Sequence, residues 1–157
     1  MDLSIVVPIY NVESYLEACL SSIEPILSNE NVELILVNDG SKDGSEDICY
    51  KYIDKTTNNK QQTTNNKQQT TNNKQQTTNN TRYRTPNIKY IYQDNQGTAE
   101  ARNTGIKNSN GKYIVFIDSD DFINCQVLLD FLSKDDIDMP DVVFLNAVKY
   151  DKGSVSH

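Results

Sequence analysis

Lys112-Tyr113-Ile114-Val115-Phe116-Ile117-Asp118-Ser119-Asp120-Asp121-Phe122 carries an apolar run straight into three carboxylates. The apolar part is strand length, rich in β-branched and aromatic residues, and follows an Asn110-Gly111 turn signal, so it reads as a buried central strand ending in an acidic site. Massed carboxylates repel one another until a cation joins them, and Asp-x-Asp oxygens suit a hard divalent ion, Mn²⁺ or Mg²⁺, which commonly bridges to substrate phosphates. The competing reading is a solvated turn in which an Asp or Ser caps the next helix. Position favours the site, because open α/β sheets bind ligands outside the carboxyl ends of their strands.

Upstream, the same design recurs. Leu3-Ser4-Ile5-Val6-Val7-Pro8-Ile9-Tyr10-Asn11 is a first buried strand, and Pro8, with no N–H to give a ladder, marks its end. Tyr10 then sits at the same sheet edge as Asp118, where its ring either stacks on a planar ligand or packs on the following helix. Leu16, Cys19, Leu20 and Ile23 keep helical spacing over residues 13–23, Pro25 ends that helix, and Ser28-Asn29-Glu30-Asn31 reads as loop. Val32 to Asn38 is a second strand, and it delivers Asp39 to the acidic edge. Asp43-Gly44-Ser45-Glu46 has capping-box spacing for a helix whose apolar side is Ile48, Cys49, Tyr52 and Ile53.

From Thr56 to Asn80 the chain cycles through Thr-Thr-Asn-Asn-Lys-Gln-Gln without a single apolar residue. The seven-residue period lacks the apolar a and d positions of a coiled coil, so this is expected to be a disordered surface insertion. Long insertions in a surface connection add little closure entropy. One domain is therefore expected over residues 1–55 and 81–150, interrupted at 56–80 and followed by a disordered tail at 151–157. Beyond the repeat, Ile88 to Gln93 is a third strand, and a helix rich in small residues starts near Thr98 with Arg102 as its strong cation. Arg102 is placed to neutralise phosphate or to hold the carboxylates; a solvated surface arginine is the alternative. Val127, Leu128, Phe131 and Leu132 mark another short helix, and Asp141 to Val148 a further strand. Alternating strands and helices with polar strand ends on one edge give an α/β domain with a mainly parallel sheet.

Composition excludes several classes. At 157 residues the chain is long enough for one domain with a sizeable core, and its net charge of −7 argues against a nucleic-acid binder, whose affinity rests on Lys and Arg. Cys19, Cys49 and Cys125 are widely spaced in apolar surroundings, which suggests buried free thiols rather than disulfides or a zinc cluster. His157 is the sole histidine, so histidine-based acid–base chemistry is not expected. No apolar run approaches membrane-spanning length and no leader pattern is present, so the expectation is a soluble, cytoplasmic protein.

Four stretches together carry a family resemblance: Ser4 to Asn11, Val37 to Ser45, Asn95 to Ile106, and Gly111 to Asp121. In this order and spacing they resemble the nucleotide-sugar-binding half of a family 2 glycosyltransferase of the GT-A fold. The resemblance implies a Rossmann-like sheet with flanking helices and a UDP-sugar donor. It carries Pro8, Tyr10 and Asn11 to the nucleotide pocket, Asp39 to a hydrogen bond from the uracil ring, and Arg102 to the pocket's flank. Asp118 goes to the ribose or donor sugar side, Ser119 to the nucleotide-sugar site, and Asp120, with Asp118, to Mn²⁺ or Mg²⁺ on the diphosphate. Asp121 is assigned either to this site or to capping the next helix. Similar enzymes invert the anomeric centre and use a separate Asp or Glu as base on the acceptor.

That base and the Gln-x-x-Arg-Trp stretch that often follows it in the family have no counterpart here; the chain has no tryptophan. Asp135, Asp136, Asp138 and Asp141 read as a solvated acidic loop. The chain is therefore expected to be truncated. It is either a glycosyltransferase whose acceptor half comes from a second chain or a longer product, or a non-catalytic module that holds UDP and metal. Membrane association is implied only as a peripheral one, by analogy with the family. A sugar nucleotidyltransferase is disfavoured, since Pro8-Ile9-Tyr10-Asn11 stands where a glycine- and arginine-rich loop is needed. A phospho-accepting receiver domain is disfavoured because Lys149 falls too late in the chain.

Overall fold

The computed structural model describes residues 2–61, 81–85, 87–133, 149–151 and 154–156. In chain order the elements are β1 (Leu3–Ile9), α1 (Glu13–Ile23), a 3-10 turn (Glu24–Ser28), β2 (Val32–Asp39), α2 (Ser45–Gln61), β3 (Thr81–Thr85), β4 (Ile88–Gln93), α3 (Thr98–Asn108), β5 (Tyr113–Phe116), α4 (Cys125–Leu132), β6 (Lys149–Asp151) and β7 (Ser154–Ser156). The main sheet has the order β3-β4-β2-β1-β5. Its strands β1, β2, β4 and β5 are mutually parallel, and β3 runs antiparallel on the outside of β4. Each parallel connection contains a helix, as parallel pairing requires. The result is the Rossmann-like α/β architecture expected from the sequence.

Both β1 and β2 are buried along their whole length, which explains their near-continuous apolar sequence. One face of the sheet presents Leu3, Ile5, Val7, Ile9, Leu34, Leu36 and Tyr90 to α1, α2 and α4. The opposite face sets Val6, Ile35, Val37 and Ile91 against Ala101 of α3. Close approach of α3 depends on Gly105, where an added Cβ would lie 2.2 Å from Val6 Cγ1. The small residues of α3 thus serve packing, and they bring Arg102 down onto the sheet.

The strand edges differ from the sequence reading in several places. Thr81–Thr85 forms β3, which the sequence reading passed over although Thr81, Tyr83 and Thr85 are strand formers. Helix α2 continues through Gln61, six residues into the polar repeat; residues 62–80 of that repeat lie outside the described residues. The strand expected over 141–148 and the acids Asp135, Asp136, Asp138 and Asp141 also lie outside them. Ser154–Ser156, within the stretch read as a tail, pairs antiparallel with Lys149–Asp151. No helix among the described residues is long and apolar enough to cross a membrane. All three cysteines are buried and free, as expected.

At the amino end of the strands, opposite the acidic edge, a buried polar knot ties four elements. Glu33, 2% exposed, accepts from Ser4 Oγ at 2.7 Å and from the Asn110 N–H, and pairs with Lys89 Nζ at 2.8 Å. Ser4 Oγ in turn accepts from the Gly111 N–H at 2.8 Å, and Lys89 donates to the Asn108 carbonyl at 2.7 Å. Burial alone would raise the Glu33 carboxyl, but the bonds from Lys89, Ser4 and Asn110 outweigh it and hold its pKa below the ordinary value. A carboxylate depressed in the folded state stabilises above its unfolded pKa, and that contribution disappears as pH falls through the folded value. Urea melts of wild type and Glu33→Gln between about pH 7 and pH 2 test this. The variant is expected to be less stable at neutral pH, with a shallower loss of stability into acid; parallel curves would contradict the account.

Candidate functional site

The first two loops at the carboxyl edge are laced together by their own polar groups. Asn11 takes a left-handed conformation, φ 50°, tolerated by an asparagine; its Oδ1 accepts from the Lys42 N–H at 2.8 Å and its N–H donates to Ser41 Oγ at 3.1 Å. Val12 N–H donates to Ser45 Oγ at 3.0 Å. Asp43 Oδ2 accepts from the Glu13 N–H at 3.0 Å, while Glu13 Oε2 accepts from the Gly44 N–H at 2.9 Å. Each loop therefore satisfies the orphan amides that open the other's helix. Asp43 also accepts from the Ser45 N–H at 3.0 Å, and Glu46 accepts from Tyr50 and Tyr90.

Asp39, at the end of β2, is 2% exposed and fixes a third loop. Its Oδ1 accepts from Gln93 Nε2 at 2.7 Å and from the Gln96 N–H at 2.9 Å, and its Oδ2 accepts from the Gly97 N–H at 2.8 Å. Gly97 is the residue immediately before α3 and has φ 90°, open to glycine and strained for other residues. Asp39 thus sets where α3 begins and, through it, where Arg102 stands.

The fourth loop leaves β5 at the acidic turn, closed by an Asp121 N–H bond to the Asp118 carbonyl at 2.9 Å. Helix α1 lies beneath it, with Cys19 Sγ 3.7 Å from the Asp118 carbonyl and Ser22 Oγ accepting from the Ile123 N–H at 3.1 Å. Burial first, then the charges of Asp121, Asp120 and Asp118, push the Cys19 thiol up to about 12, so it stays protonated and inert. Burial and the neighbouring Asp120 and Asp118 likewise raise the Asp121 carboxyl. Asp121 does not cap the following helix. Asn124 does, accepting from the Gln126 N–H at 3.0 Å.

These loops enclose a cleft of about 260 Å³. Pro8, Tyr10, Asp39, Arg102, Asp118, Ser119 and Asp120, all singled out from sequence, line it. Asn11 does not; its amide is engaged in lacing the loops. Ile9, Val12, Thr98 and Ala101 also line the cleft and were not singled out, although Thr98 opening a helix after Gly97 is a readable signal. Tyr10 keeps 46% of its surface exposed, so its ring is available to a ligand. Arg102 Nη2 donates to Asp118 Oδ1 at 2.5 Å, and the guanidinium lies over the Phe116 ring. Chemically the cleft offers an aromatic face, a buried carboxylate, one guanidinium and two outer carboxylates.

The family model described as Glycosyl transferase family 2 matches residues 4–156. The chain belongs to that family. Glycosyltransferase GlyA of Streptococcus pneumoniae serotype 4 is 36% identical over 121 residues, which are 77% of this chain and 13% of GlyA. The solved structure of Staphylococcus aureus TarS 1-349 in complex with UDP-GlcNAc superposes with a TM-score of 0.61 at 26% identity, covering 85% of this chain and 30% of that one. Mannosyltransferase PcManGT from Pyrobaculum calidifontis, solved with GDP-Man and Mn²⁺, shares the fold at a TM-score of 0.59 and 16% identity, covering 84% of this chain and 32% of its own. This family 2 chain thus spans about a third or less of each of these relatives.

In the family 2 chain the buried acceptor at Asp39 is the most exacting part of the cleft. Asp39→Asn keeps the shape but turns an amide N–H toward one of three donors, so one bond is lost and two donors face each other. The expected cost is about 2–3 kcal/mol in urea melts, while Asp94→Asn, in the exposed loop that Asp39 clamps, changes stability by about 0.5 kcal/mol or less. Equal effects would show that the clamp is not the cause.

Proposed function

We propose that this chain is the donor-binding part of a glycosyltransferase that takes a UDP-sugar through a divalent metal. The observation that carries the reading is the single cleft in which Tyr10, Asp39, Arg102, Asp118 and Asp120 meet at the carboxyl edge of the sheet. The likeness to a UDP-GlcNAc-bound glycosyltransferase supports the choice of nucleotide. Tyr10 and Pro8 stack against the base. Asp39 uses three of about four acceptor positions on its loop, which leaves one for the ring N–H of uracil. Asp118 and Ser119 hold the ribose and donor sugar, and Arg102 faces the diphosphate.

Asp120 and Asp118 fit a metal. Two carboxylates are too few for an all-protein cage, and no group of three or more acidic, histidine or cysteine ligands converges among the described residues. That donor set suits Mn²⁺ or Mg²⁺, whose remaining positions go to water and substrate phosphate. Bound there, such an ion supplies Lewis-acid stabilisation of the departing diphosphate. Transfer proceeds with inversion at the sugar carbon, onto a surface-glycan or lipid-linked acceptor, with a base outside this cleft deprotonating the acceptor hydroxyl.

The alternative reading is a non-catalytic module that holds UDP and metal without transferring the sugar. Both readings require donor binding. Calorimetric titration with UDP in Mn²⁺ and again in EDTA is expected to show metal-dependent binding, weakened at least about tenfold by Asp120→Asn, with unchanged circular-dichroism melts. A folded chain that binds UDP in neither condition would overturn both.

A further inference from the structure

Arg102 is held in a way that a permanent ion pair does not explain. Its Nη2 contacts Asp118 Oδ1 at 2.5 Å, yet the two side chains remain 38% and 49% exposed, so water can replace either partner. Its Nε is shielded from solvent and has no hydrogen-bond partner. The guanidinium carbon lies 5.9 Å from the centroid of the Phe116 ring, a hold that does not depend on Asp118. Asp118 itself stands in the cleft beside Asp120. The planar fork of arginine is built for two parallel bonds to a carboxylate or phosphate, and here one contact is made.

Resting on the donor-site reading above, we propose that Arg102 is the resident cation of the cleft: it neutralises Asp118 in the unloaded domain and transfers its guanidinium to the diphosphate when Asp118 turns to the divalent ion. Phe116 keeps the guanidinium near the cleft during the exchange, and the clamp of Asp39 on Gly97 keeps α3 fixed, so the side chain moves and the helix does not. Two consequences follow from linkage. Arg102 opposes binding of the metal ion alone, and it makes nucleotide and metal bind cooperatively, each by the same factor on the other.

Calorimetry with Mn²⁺ alone, UDP alone, and each in the presence of the other separates these effects in wild type and Arg102→Gln. For wild type, UDP is expected to tighten Mn²⁺ about tenfold or more. Arg102→Gln is expected to bind Mn²⁺ alone about three- to tenfold more tightly, because a cation near the ion has been removed. The variant should also lose about tenfold or more in UDP affinity measured in Mn²⁺, and most of the coupling. Arg102→Lys, which retains the charge, should bind Mn²⁺ alone as wild type does. Unchanged or weaker Mn²⁺ binding by folded Arg102→Gln, with wild-type UDP binding still metal-dependent, overturns the proposal and leaves the donor-site reading standing. Absence of UDP binding by folded wild type overturns both. An arm on the wild-type chain avoids any folding defect of a variant: with three arginines in the sequence, the side-chain Nε–H resonances of ¹⁵N-labelled protein are few. The Arg102 resonance is expected to shift when Mg²⁺ and UDP are added together, and a resonance unmoved at saturation overturns the exchange.

Discussion

The architecture of the cleft depends on a carboxylate that is buried and almost saturated. Asp39 accepts three hydrogen bonds, from Gln93 at the end of β4 and from the Gln96 and Gly97 N–H groups of the loop that leads to α3. A buried carboxylate without partners would carry a large desolvation cost, and partners drawn from β4 and that loop convert that cost into a geometric constraint. With Gly97 held there, α3 starts at a fixed point, and Gly105 lets it settle against Val6 closely enough to place Arg102 over the last residue of β5. Loop, helix and cation are then set by one side chain at the end of β2.

The two ends of the parallel sheet solve the same problem differently. At the amino end, Glu33 is buried with Lys89, and its charge is matched by a partner and by backbone and hydroxyl donors. Removing either partner there leaves a buried charge unpaired, which is what makes such a pair rigid. At the carboxyl end, Asp118 and Arg102 are half exposed and held by one contact. Exposed pairs are cheap to separate. The buried pair thus lies at the amino end of the sheet and the half-exposed pair where the loops converge.

Much of this was legible in the sequence because it depends on short-range pattern. Apolar runs gave β1, β2 and β4, helical spacing gave Leu16, Cys19, Leu20 and Ile23 as the buried side of α1, and the acidic turn after β5 was placed at the correct edge. What was not legible depends on partners distant in the chain. Asp43 has the local spacing of a capping box, but its bond to Glu13 spans 30 residues, and no local pattern reveals it. Asn11 lies beside the pocket residue Tyr10, yet its amide serves a loop 31 residues away. Thr81–Thr85 was hidden because the polar repeat before it obscured where the fold resumes.

Strand β5 shows why the cation stands where it does. Its side chains alternate, with Tyr113 and Val115 turned toward the core side of α1, α2 and α4, and Ile114 and Phe116 on the α3 face. Among the described residues β5 lies at the edge of the five-stranded sheet, and Ile114 and Phe116 remain 38% and 40% exposed, which corrects the expectation of a buried central strand. The arginine fills that partial gap with its guanidinium over an aromatic face, an arrangement that tolerates water at its rim. The guanidinium is thereby oriented yet half exposed, and the acidic turn two residues further along offers it the Asp118 carboxylate.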